Sequence, residues 1–102
     1  MEVLRFDLPE GELAAAGVFH ERAPARVSKL VDAGASAVCL VLPPAGYEQA
    51  DWRRAAARGL ARAWAPARVN LVAGRAGPTL EATLAYLAAA PGVTGQYLEC
   101  AE

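Results

Sequence analysis

The chain has 102 residues, 55% of them hydrophobic and 21% charged, with 10 basic against 11 acidic side chains. That length fits one domain spanning residues 1–102, and that composition excludes disorder. The net charge of −1 excludes a global field that would draw the protein to nucleic acid or to an anionic membrane. Alanine makes up roughly a quarter of the chain and Lys29 is the only lysine, a bias that fits a GC-rich bacterial genome. Two cysteines, Cys39 and Cys100, are too few for a disulfide framework, so both are expected to be reduced and the protein cytoplasmic. No basic-then-apolar leader is read at the N-terminus. No apolar run approaches the roughly 18 residues needed to span a bilayer.

In chain order, residues 3–6 form a short apolar run, either a first strand or an extended tail. Residues 10–20 read as a weak helix, lowered in quality by Gly17. Pro24 is expected to interrupt it and to start a second helical segment over 25–33, where Val27, Leu30 and Val31 recur at helical spacing. Gly34 fits a C′ cap. Residues 35–42 are continuously apolar, as in a strand of a parallel sheet buried on both faces. The next helix, 49–65, is expected to turn Trp52, Ala56, Gly59, Leu60 and Ala63 inward and Arg54, Arg58 and Arg62 outward. Residues 68–73 make another strand, closed by Gly74-Arg75-Ala76-Gly77. Pro78 suits the start of a third helix over 79–90, with a stripe of Leu80, Leu84, Leu87 and Ala88. Residues 96–100 form a final strand. The alternation predicts an α/β fold with a parallel sheet built from βαβ units.

Four stretches in order carry a family resemblance: Gly17-Val18-Phe19-His20; the run from Gly34 to Leu42; Leu60-Ala61-Arg62-Ala63-Trp64-Ala65-Pro66 followed by Arg68-Val69-Asn70; and Pro91-Gly92-Val93-Thr94-Gly95-Gln96. Together they resemble the C-terminal half of the short-chain dehydrogenase/reductase family. The resemblance implies a half-Rossmann sheet of three or four parallel strands, with helices mainly on one face. The family's Gly-rich cofactor turn is not found in this sequence. The family's tyrosine position falls on Gly46 or Tyr47, and its lysine position on Ala50 or Asp51. A carboxylate at 51 would raise the tyrosine pKa, opposite to what the chemistry needs. The place of the catalytic serine holds Leu42-Pro43-Pro44, and the turn after Asn70 reads Val72-Ala73-Gly74 rather than Ala-Pro-Gly. The resemblance therefore implies a pseudoenzyme, with no catalytic residues and no cofactor.

His20, the one histidine, has no ligand-spaced companions, so no metal is expected. Cys39 reads as a core thiol. The loop bearing Gly74, Arg75, Gly77 and Thr79 lies at a strand's C-terminal end, where backbone N–H groups could hold a phosphate, nucleotide or acyl-CoA-type ligand. Such a site would make the chain a small-ligand binder or a minor oxidoreductase subunit. Arg53, Arg54, Arg58 and Arg62 invite a nucleic-acid reading, but an arginine face meeting solvent or an acidic partner fits the neutral charge better. Half a doubly wound sheet would leave apolar side chains on one face. The last helix covers part of that face and another chain the remainder. The leading expectation is an interaction module working as a homodimer, as a larger homo-oligomer or docked on a larger protein.

Overall fold

A computed structural model describes residues 1–101. One sheet carries four parallel strands in the order β1 (Glu2–Arg5), β2 (Ala37–Leu42), β3 (Arg68–Ala73) and β4 (Tyr97–Glu99). Three helices link them: α1 (Glu12–Asp32), α2 (Ala50–Ala63) and α3 (Pro78–Ala88), with a single 3₁₀ turn at Tyr47–Gln49 before α2. This is the predicted α/β half-Rossmann architecture, and the apolar run at 3–6 supplies both strand β1 and the buried Phe6.

The first helix departs from expectation. Pro24 does not divide it; α1 runs unbroken through the proline for 21 residues. Its buried residues are Ala15, Phe19, Ala23 and Val27, each four positions after the last. That single stripe crosses the proline and holds both halves of the helix on the sheet. Burial outweighs the one hydrogen bond that proline cannot donate. The helix ends as predicted at Gly34, whose φ of 105° is a left-handed conformation open to glycine. The Gly34 N–H donates to the Val31 carbonyl and the Ala35 N–H to that of Leu30, the paired bonds of a Schellman cap.

Crossovers that advance in one direction place their helices on one face. α1 and α2 do so: Phe19, Ala23 and Val27 of α1 and Ala56, Ala57 and Leu60 of α2 pack with Phe6, Val38, Leu40, Leu42, Val69 and Leu71. α3 lies on the other face, where Leu80, Leu84 and Leu87 cover Cys39, Val41 and Val72. Val93, Leu98 and Cys100 complete that cover. The expectation that another chain must shield this face is therefore corrected. The sheet's two central strands are buried on both sides within one chain, because α3 and the C-terminal segment together span the exposed part of β2 and β3.

Helix α2 is rotated from its predicted setting. It buries Ala50, Arg53, Ala56, Ala57 and Leu60, while Ala63 is exposed and Trp52 and Gly59 are half-buried. In α3 the three leucines are buried as expected and Ala88 is exposed. Among the described residues no helix is long and apolar enough to cross a membrane.

Candidate functional site

Parallel sheets present ligands at the C-terminal ends of their strands, here the segments after β1, β2 and β3. The segment after β2 holds the positions where the resemblance places catalysis. Leu42 is buried and Pro43 and Pro44 follow it, with no hydroxyl. Tyr47 sits on the 3₁₀ turn with its ring pointing out, 91% exposed. Ala50 is buried and Asp51 faces solvent, its carboxylate 3.6 Å from the Arg54 guanidinium. The fold brings no hydroxyl, phenol and ammonium together at this place.

The same segment contains a residue that sequence reasoning placed wrongly. Arg53 is not part of the outward arginine face; it is 1% exposed. Its Nη1 donates to the Pro43 carbonyl at 2.8 Å and to the Tyr97 hydroxyl at 3.2 Å, so α2, the loop after β2 and strand β4 meet on one guanidinium. Its guanidinium carbon lies 5.4 Å from the Trp52 ring centroid and 5.9 Å from that of Tyr97. Spacing was the available signal: Arg53, Ala56, Ala57 and Leu60 share one helical face. Arg53 forms part of the lining of a cleft of about 500 Å³ between the segments after β1 and β2. The remaining arginines of α2, Arg54, Arg58 and Arg62, are exposed as expected.

After β3, Arg75, Gly77 and Thr79 line a smaller cleft of about 210 Å³ that also touches Cys100. Gly74 lies buried behind it, and a Cβ there would stand 3.0 Å from the Cys100 sulfur. The glycine thus serves close packing of β4's end against β3. The Cys100 thiol donates to the Thr83 hydroxyl at 3.5 Å. Thr79 contributes its carbonyl to the Thr83 hydroxyl, a contact internal to α3.

His20 is exposed and its ring lies against those of Phe19 and Trp52, which also touch each other, with Nδ1 2.7 Å from the Ala16 carbonyl. No group of three or more metal-ligating side chains occurs among the described residues. Cys39 is fully buried, and burial pushes its thiol up to about 12, with Cys100 adding to the rise and Arg5 opposing it. A thiol held that far from its thiolate is a packing residue.

Two of the motifs behind the resemblance meet physically. Arg68 donates to the carbonyls of Leu87, Ala90 and Val93. Asn70, 1% exposed, donates to the Val93 carbonyl and accepts from the Gln96 N–H, both at 3.0 Å. The Val69 N–H donates to the Thr94 hydroxyl, and the Gly95 N–H to the Val69 carbonyl. Gly95 has φ 72° and approaches α2 so closely that a Cβ would lie 3.4 Å from that of Ala61. Arg68-Val69-Asn70 and Val93-Thr94-Gly95-Gln96 are thus two halves of one clamp, which seats the last loop on β3 and fixes the end of α3.

The model of the SDR-like family, described as short chain dehydrogenase-like protein, matches residues 4–100. No curated protein and no solved structure matches the chain. With the family model covering nearly all of the sheet and every helix, the chain belongs to the SDR-like family of short chain dehydrogenase-like proteins.

Proposed function

We propose that this SDR-like domain is non-catalytic and works as an interaction module that self-associates. The observation that carries the first part is the segment after β2: prolines stand where a serine is needed, and Tyr47 and Asp51 point to solvent on separate elements.

The second part rests on the sheet edge. β1 pairs with β2 on one side and with no other described strand; on its other side the Arg5 carbonyl accepts from the exposed Arg26 guanidinium at 3.4 Å, and the rest of that edge pairs with no strand. Met1 and Val3 beside that edge are 41% and 37% exposed. Both faces of the two central strands are already covered within the chain, which leaves the sheet's edges, β1 with its exposed Met1 and Val3 first among them, as the place for growth of the sheet by a second copy. The exposed arginine row of α2 lies away from it and is a solvated face on this reading.

Light scattering at micromolar concentration tests the assembly. A dimer is expected, and Val3→Lys, which puts a charge on the edge without touching the core, converts it to a monomer with unchanged far-UV dichroism. A wild-type monomer across the concentration range overturns the self-association reading. Turnover of any carbonyl or alcohol substrate with a nicotinamide cofactor, lost in Tyr47→Phe, overturns the non-catalytic one.

A further inference from the structure

Arg53 carries a buried charge that the Trp52 and Tyr97 rings offset in part and that no carboxylate among the described residues pairs with. The two ion pairs formed among the described residues are Arg5–Glu81 and Arg54–Asp51, and neither involves it. Both of its hydrogen bonds leave from Nη1 and go to neutral oxygens. Nε is buried with no partner. Buried polar atoms are almost always satisfied, and a buried cation without an anion is strongly unfavourable. The unused edge, Nε with Nη2, is the side-on fork that grips a carboxylate through two parallel N–H···O bonds.

The surroundings narrow the ligand further. The cleft that Arg53 helps to line has a volume of about 500 Å³, room for a small molecule. Its other charged residues are Glu10, from the segment before α1, and Glu48, from the 3₁₀ turn, both exposed. Two carboxylates at the rim repel a simple anion, whereas the buried guanidinium requires one. A molecule bearing a carboxylate and an ammonium satisfies both. Pro9, Pro43 and Pro44 give the cleft rigid, weakly polar walls with no N–H groups of their own.

We infer that the cleft between the segments after β1 and β2 binds a small zwitterion of the amino-acid class. Its carboxylate sits on the Arg53 guanidinium and its ammonium between Glu10 and Glu48. Arg53 then has two duties, bracing the Pro43 carbonyl and Tyr97 from one side and holding the ligand from the other. This inference is independent of assembly at β1.

The test is titration of the ¹⁵N-labelled protein, read at the Arg53 Nε–Hε resonance, with pools of the protein amino acids and with acetate and methylammonium singly. At least one pool is expected to shift that resonance saturably, with acetate and methylammonium each at least about tenfold weaker. Glu48→Gln, an exposed and foldable variant, is expected to weaken the amino acid about tenfold and to leave acetate no weaker. Arg53→Lys assigns the resonance by its loss. Where that variant does not fold, assignment by through-bond correlation from the arginine side chain serves instead. No shift with any pool overturns the inference. So does acetate binding as tightly as the best amino acid, or an amino-acid affinity unmoved by Glu48→Gln.

Discussion

Helices α1 and α2, of 21 and 14 residues, cover one face of the sheet, and α3, of 11, covers the other. The first face is built from size. Phe6, Phe19 and Trp52 stack in a chain with centroid separations of 5.3 and 5.4 Å, around strand residues that are leucine or valine. The second face has no buried aromatic; its core is Cys39, Val41, Val72 and three leucines of α3. What it lacks in apolar volume it makes up by fastening. Arg68 reaches from β3 to three carbonyls at and beyond the end of α3, and Asn70 holds the loop that follows. A short helix with little apolar surface can shield a sheet face when polar groups fix where it ends.

If this contrast is right, the two faces fail differently. Phe19→Ala removes the ring that touches Phe6, His20 and Trp52 together, and a loss of about 4 kcal/mol is expected in urea unfolding. Leu87→Ala on α3 is expected to lose about 3 kcal/mol. Arg68→Met keeps the buried stem but removes the donors, for a loss of about 2 kcal/mol. Hydrogen exchange separates the mechanisms. Arg68→Met should speed exchange in α3 and the loop after it while leaving α1 and α2 protected. Uniform acceleration across all three helices would mean that the two faces form one cooperative unit, and the contrast drawn above would fail.

The sequence made some of this legible and hid the rest for definite reasons. β2 was readable because all six of its residues are apolar, and β3 because Val69, Leu71, Val72 and Ala73 follow no clean apolar–polar alternation, as in strands buried on both sides. The cap at Gly34 and the helix start at Pro78 follow from backbone chemistry that is local. The unbroken α1 was hidden because local rules weigh Pro24 heavily and give no weight to the stripe of Ala15, Phe19, Ala23 and Val27, two of which are only alanines. Arg53 was hidden because charge was read as exposure. The spacing that sets it on the face of Ala56, Ala57 and Leu60 was passed over, and its partners Pro43 and Tyr97, residues 10 and 44 positions away, are reported by no helical pattern. The cover of the second face was undervalued for the same reason. Arg68 and Asn70 looked like the tail of a family motif until Val93 and Gln96 stood opposite them.

Cys39 offers a reading of the second face that requires no truncation. Its thiol, raised from 9.0 to about 12 by burial, keeps its proton in the folded chain at a pH where the unfolded chain has lost it. The folded-state value lies above the unfolded one, so the associated stability is fully present below pH 9.0 and is lost as pH climbs toward about 12. The expected slope from this group is about 1.4 kcal/mol per pH unit in that window, and Cys39→Ala should remove it from the pH profile of unfolding. In the native state a thiol reagent should modify Cys100, which is partly exposed, and spare Cys39. Equal labelling of both at neutral pH would show that α3 opens readily, and the fastening by Arg68 would then be weaker than its three contacts suggest.

The smallest effect tests the first face from the opposite direction. Pro24 stands in the interior of α1, half-buried beside Phe19, His20, Ala56 and Leu60. A proline in that position loses a hydrogen bond to the carbonyl four residues earlier, that of His20, at a cost of about 3 kcal/mol in an isolated helix. It returns part of that by restricting the unfolded chain, by up to about 1 kcal/mol, and by the partial burial of its ring. Pro24→Ala should therefore stabilise the protein by only about 1 kcal/mol, measured as a shift in the urea midpoint at constant slope. A much larger gain would mean that α1 is strained on the sheet, so that the two-helix face is held by less than its rings imply. A loss would mean that the proline ring is itself part of the α1–α2 contact. In that case the interior of α1 is shaped for α2 as much as for the sheet, and the larger face owes its strength to helix pairing.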